Sequence, residues 1–100
     1  MSEITMFVKL PLKEGKFDEL KAAFDEVMMP QVAKEEGTLA YVICQDNADP
    51  NVARVYEAYT DQAALEAHSN SDAMAALFGR VGDLMDGAPE MHLATAVLTK

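Results

Sequence analysis

The chain of 100 residues has no tryptophan, a single cysteine, and only eight lysines and arginines against seventeen aspartates and glutamates. Each shortage excludes something. One cysteine, Cys44, cannot close an internal disulfide. Its place inside an apolar run, with no basic neighbour, predicts a buried, inert thiol rather than a nucleophile. A formal net charge of −9 and no cluster of basic residues leave nothing to hold phosphate backbones or anionic headgroups, so nucleic acid and membrane surfaces are not expected partners. No segment approaches the roughly 18 apolar residues needed to span a bilayer. The Met-Ser-Glu start lacks the basic segment and apolar run of a signal peptide, and a cytoplasmic location is expected. His68, His92, Cys44 and the carboxylates match none of the known metal-ligand spacings, so no metal is expected.

What remains is an ordinary globular balance, half hydrophobic and a quarter charged, sized for one domain spanning residues 1–100. Ile4, Met6, Val8 and Leu10 alternate with Thr5, Phe7 and Lys9, a strand rhythm that Pro11 ends. Between Gly15 and Glu35, Phe17, Leu20, Phe24, Val27, Met28 and Val32 form one apolar helical stripe. Pro30 removes a backbone donor and crowds Glu26, predicting a kink or break near Met29, and Gly37 closes the segment as a helix terminator. Thr38 to Gln45 is almost continuously apolar and reads as a strand buried on both sides. Residues 46–51 read as a turn; their carboxylates lack the spacing and glycine of a calcium loop. Val52 to Tyr59 returns as a strand. Thr60-Asp61 caps a second helix, which breaks at Ser69–Asp72 and restarts with Met74, Leu77, Phe78, Val81, Leu84 and Met85 as its stripe. Gly79 and Gly82 suggest close packing there, Gly87-Ala88-Pro89 stops the helix, and His92 to Thr99 is the last strand. The order is that of an α+β, ferredoxin-like βαββαβ domain with a four-stranded antiparallel sheet.

In that topology both helices cover one face of the sheet, and the other face should be polar. Here it is not. Ala40, Val42 and Cys44 oppose Tyr41 and Ile43; Tyr56 and Ala58 oppose Val55 and Tyr59; Ala94, Ala96 and Leu98 oppose Leu93 and Val97. A monomer would expose a sheet-sized apolar patch, so two-fold pairing of sheets into a homodimer is expected.

These elements, with Lys34-Glu35-Glu36-Gly37 leading into a strand and the run from Tyr56 through His68 followed by Leu84-Met85-Asp86-Gly87, resemble the antibiotic biosynthesis monooxygenase superfamily. The resemblance covers essentially the whole chain. It is nearest the branch holding quinol monooxygenases and the isomerase of a phosphorylated autoinducer. It implies a dimeric α/β barrel and a pocket between the sheet and its helices. It also implies chemistry without metal, flavin or haem, in which a deprotonated aromatic substrate reacts directly with dioxygen to give a quinone. Haem-degrading relatives carry a ligand histidine along the second helix and a tryptophan nearby; Met74-Ala75-Ala76-Leu77-Phe78 has no histidine, and the chain has no tryptophan.

Against that background a few residues stand out. His68 follows Leu65 by three positions and faces inward, where imidazole can take and return a proton near neutral pH. The resemblance places a pocket histidine at this position, and a catalytic His68 would allow His68→Ala to spare the fold. A histidine at a helix C-terminus can equally be structural, bonded to a carbonyl. Glu57 shares face parity with Val55 and Tyr59, so its carboxylate enters an apolar layer as a second acid or base, as an orienter of His68, or as a structural acceptor. Tyr41 and Tyr59 lie on the same face and can either hydrogen-bond a small phenolic or hydroxyketone substrate or simply pack. Met28 and Met74 suit an adaptable pocket wall and an ordinary core equally.

Overall fold

The computed structural model describes residues 3–100. Strand β1 (Ile4–Pro11) leads to helix α1 (Phe17–Ala23), a π-helical turn (Phe24–Met28) and helix α2 (Met29–Val32). Strands β2 (Thr38–Gln45) and β3 (Val52–Tyr59) follow, then helices α3 (Gln62–Ser69) and α4 (Asp72–Val81), a 3₁₀ turn (Gly82–Leu84) and strand β4 (Glu90–Thr95). The sheet runs β2-β3-β1-β4 with every neighbour antiparallel, the expected ferredoxin-like arrangement.

Register decides which side chains meet. Met6 pairs with Glu57 and Leu93, Val8 with Val55 and Met91, and Tyr41 with Glu57, so these residues share the helix-facing side. Val8, Leu10, Ala53 and Val55 pack there against Leu20, Ala23, Phe24 and Met28 of the first helical segment and Leu77 and Val81 of α4. The opposite face carries Phe7, Val42 and Tyr56, which are 50%, 46% and 36% exposed. No helix covers it.

That bare face corrects two expectations. β2 is not buried on both sides, and Cys44, on the bare face opposite Arg54, is exposed. The parity read from the sequence holds, but β2 is an edge strand with one uncovered face. The last strand also starts and stops earlier than 92–99. Its pairing with β1 ends at Ile4 opposite Thr95, where β1 itself begins.

Pro30 does not break the helix. Met29 N–H bonds the Phe24 carbonyl five residues back, and the proline follows at the start of α2, where a missing donor costs little. The widened turn absorbs the register change and keeps Leu20, Phe24 and Met28 on one buried stripe.

Two glycines exchange their expected roles. Gly37 is not a left-handed helix terminator, since only Gly15 and Gly87 have positive φ among the described residues. It is there because a Cβ would lie 2.5 Å from the Ala64 Cβ and 3.3 Å from Thr60 Oγ1, so the β2 entry lies directly against α3. Gly79, by contrast, packs against nothing within 4 Å. Gly79→Ala should therefore stabilise the fold by up to about 1 kcal/mol, a helix-propensity gain, whereas Gly37→Ala should lower the melting temperature by pushing α3 outward. Thermal melts of the two variants test the pair, and a stabilising Gly37→Ala would contradict the close contact.

Candidate functional site

A cavity of about 250 Å³ lies between the helix-facing side of the sheet and the helices. Met6, Val8, Val55, Phe24 and Leu77 make its walls apolar, while Tyr41, Glu57, His68 and Ser69 supply its polar groups. Met74, Phe78 and Met91 also line it, and Phe78 and Met91 are more than half exposed, which marks the mouth. A second hollow, between the start of α1 and the end of β2 with the loops beside them, holds no buried titratable side chain.

His68 is set by helix capping. Leu65 and His68 are the buried residues of α3, three apart on one face. Asp61 starts the helix by accepting from Ala64 N–H at 2.9 Å. At its end Ser71 donates to the His68 carbonyl at 2.8 Å and accepts from Met74 N–H at 3.2 Å, capping α4 as the sequence indicated. The imidazole is 1% exposed.

The partner of that imidazole is Glu35. His68 Nδ1 lies 2.9 Å from Glu35 Oε1, which also accepts from Thr38 Oγ1 at 2.7 Å, while Gln31 Nε2 donates to Oε2 at 2.9 Å. Burial pushes the Glu35 carboxyl up, but the hydrogen bonds from Gln31, Thr38 and His68 outweigh it and hold the group below its ordinary range. An ionised carboxylate only accepts, so Nδ1 carries the hydrogen, and the tautomer this sets presents the Nε2 lone pair. Nε2 is buried and has no hydrogen-bond partner, alone among the described buried side-chain atoms. Its nearest charged neighbour is Glu57 Oε1 at 3.9 Å, beyond hydrogen-bond reach.

Glu57 is the opposite case. Burial raises its pKa, only partly offset by the hydrogen bond from the Tyr59 hydroxyl and by His68. Burial also raises both tyrosines, followed by the Glu57 and Glu35 charges for Tyr41, so both keep their protons at working pH. The Tyr41 and Tyr59 rings stand 5.3 and 5.4 Å from the imidazole.

The structure thus brings His68, Glu57, Tyr41 and Met74 to one cavity. Tyr59 is fully buried behind Glu57 with its hydroxyl committed to it, and Met28 is fully buried in the core; neither lines the cavity. The orienter of His68 is Glu35 and not Glu57. Only the motif Glu35-Glu36-Gly37 hinted at it, because its contact with His68 spans 33 residues. With His68 buried, Ala there would leave a void and remove one of the three hydrogen bonds to the Glu35 carboxylate. His92 lies on the bare face, paired with Phe7 and exposed. The acidic turn binds its own backbone: Asp46 accepts from Ala48 N–H, Asp49 N–H and Arg54.

The opposed shifts of the two glutamates fix how stability should change with pH. Glu35 lies below its ordinary 4.5, so its contribution is present above that value and is lost as pH falls through the folded value. Glu57, raised above 4.5, contributes below that value and loses the contribution as pH rises. Denaturant midpoints should therefore show Glu35→Gln less stable than wild type at neutral pH, with the gap closing in acid. Glu57→Gln should gain relative to wild type as pH rises. A pH-independent gap for both would contradict these assignments.

The sequence profile of the antibiotic biosynthesis monooxygenases matches residues 3–80. None of the curated proteins matches the chain. Among solved structures, one from Caulobacter crescentus, provisionally assigned as an antibiotic biosynthesis monooxygenase, superposes with a TM-score of 0.91 at 27% identity, over 97% of this chain and 92% of that one. A protein of unknown function from Nitrosomonas europaea superposes with a TM-score of 0.85 at 26% identity, over 100% of this chain and 94% of that one. A conserved protein from Methanosarcina mazei, 23% identical with a TM-score of 0.87 over 94% and 92% of the two chains, shares the fold. With 78 consecutive positions matched by the family profile and the same fold throughout, the chain belongs to the antibiotic biosynthesis monooxygenase family.

Proposed function

We propose that the protein is a cofactor-independent monooxygenase that oxidises a small phenolic or quinol substrate with dioxygen, using His68 as the base and working as a homodimer. The observation that carries this reading is the buried imidazole whose Nδ1–H is tied to Glu35 while Nε2 has no partner at the wall of an apolar cavity. Leaving a buried acceptor unpaired costs about 1–3 kcal/mol, which a structural histidine has no reason to bear. A phenol hydroxyl satisfies it. Nε2 takes the phenolic proton, and the imidazolium is stabilised by Glu35 on its far side. Tyr41, held protonated, has its hydroxyl available to the phenolate. The ring anion then gives electrons directly to dioxygen. One oxygen atom becomes a new ring carbonyl, the other leaves as water with two hydrogens from the substrate, and phenol plus dioxygen balances as quinone plus water. The cavity, at about 250 Å³, has room for a ligand of about one ring.

A second reading has its own support. His68 and Glu57, a base and an acid of raised pKa 3.9 Å apart, suit moving a proton between adjacent carbons of a hydroxyketone. Oxygen consumption separates the two reactions.

His68→Asn is the informative variant, because its amide nitrogen falls near the Nδ1 position and can still donate to Glu35 but cannot act as a base. Turnover of a quinol should fall about 100-fold or more while the melting temperature changes far less than in His68→Ala. Turnover near wild type in a folded His68→Asn protein would end the base assignment.

The dimer reading rests on the bare sheet face. Phe7 and Tyr56 meet there as a tilted pair with ring centres 5.4 Å apart, beside Val42, and the charged strand residues on that face pair within the chain, Lys9 with Glu90 at 3.7 Å and Arg54 with Asp46 at 2.7 Å. A second copy can therefore approach without meeting net charge. Sedimentation at micromolar concentration should give about twice the chain mass, and Val42→Lys, which would bury an unpaired ammonium, should give a monomer. Wild-type protein that stays monomeric across that range would sink the proposal.

A further inference from the structure

We infer that the cavity is a charge filter, taking an uncharged, hydroxyl-bearing ligand of about one ring and turning away phosphorylated or carboxylated ligands of the same size. The inference rests on the reading above that this cavity holds the reacting ligand, and it deepens that reading by naming the ligand's charge.

Three observations carry it. First, none of the eight lysines and arginines lines the cavity. Lys9 and Arg54 sit on the other face of the sheet, paired with Glu90 and Asp46, and Arg80 reaches Glu26 on the exterior. Lys13, Lys21 and Lys34 occupy exposed positions. Second, the ionisable groups at the cavity's polar end are carboxylates and the histidine between them, with Glu57 in the wall and Glu35 behind His68. Third, the start of α4, beside the mouth residues, is closed to anions: Ser71 caps it and Asp72 occupies its first turn. An anion entering this space would shed its water and gain no counter-charge. A neutral hydroxyl loses little and gains the Nε2 lone pair. The chain's net charge of −9 opposes anions from further out.

The test uses two compounds of one shape, 4-hydroxybenzamide and 4-hydroxybenzoate, which differ in charge at neutral pH. Calorimetric titration of the full chain should give at least about tenfold tighter binding of the amide, equivalent to about 1.4 kcal/mol. Phe78→Lys places an ammonium at the mouth, at a position already 57% exposed, so the fold should be kept. It should bring the ratio close to one by raising the affinity for the benzoate. Equal or tighter binding of the benzoate by wild type overturns the filter, as does a ratio unchanged in folded Phe78→Lys protein. If that result comes with turnover still lost in His68→Asn, only the filter falls. If neither compound binds, the cavity is not the ligand site and the reading on which the filter rests falls with it.

Discussion

The hydrogen bond between Glu35 and His68 is the contact on which the polar interior depends. It joins the segment after α2 to the end of α3, two elements that the chain separates by 33 residues. Neither end is left to find the other by flexibility. The Thr60 N–H bonds the Gly37 carbonyl at 2.9 Å, and the absence of a side chain at Gly37 lets the β2 entry lie against Ala64. Gln31 and Thr38 then bond both oxygens of the carboxylate, so it has one orientation. Fixing Glu35 fixes the tautomer of His68, and the tautomer leaves the unpaired nitrogen facing away from Glu35, on the Glu57 side.

Two glutamates flank that ring, and their surroundings drive them apart. Glu35 receives three hydrogen bonds and stays ionised, whereas Glu57 receives one from Tyr59 in an apolar layer and is pushed upward. Identical side chains are thus pushed in opposite directions within one cluster, the arrangement that separates acid from base in general acid–base chemistry. No single ion position could engage all three groups, because the carboxylates sit on opposite nitrogens of the imidazole; among the described residues no set of three His, Cys, Asp or Glu side chains is placed to hold a metal.

Much of this was legible from local pattern. Period-two alternation placed Glu57, Tyr41 and Val55 on one face and Val42 and Tyr56 on the other, and helical spacing turned His68 inward beside Leu65. Asp61 marked the start of α3 and the break at Ser69–Asp72 its end, whereas α4 stops at Val81, short of the Gly87 stop. What the sequence hid were contacts between segments. Glu35 has no periodic signal, since its partner lies on another helix. Gly37 reads as a terminator until its neighbour Ala64 is known. Cys44 and β2 look buried because an apolar run does not say whether a second layer exists to cover it. Tyr59 and Met28 were placed on the correct side of the sheet or helix but at the wrong depth, and depth depends on how far neighbouring side chains reach.

The acidity and the bare face bear on the same question, which is where a strongly charged small protein can afford an apolar surface. Strand residues on that face carry charge only at one end, where Lys9 meets Glu90 and Arg54 meets Asp46. Those pairs cancel, so the whole net charge of −9 lies on the remainder of the surface. Exposed ion pairs of this kind contribute little to stability, but they keep the apolar face electrically quiet. The acidic residues left over include Asp18, Glu19, Asp25, Glu26 and Asp72 on the helical side, which holds the cavity mouth. A face that tolerates a like-charged neighbour and a mouth that disfavours anions therefore follow from a single distribution of charge, set by which strand residues alternate outward.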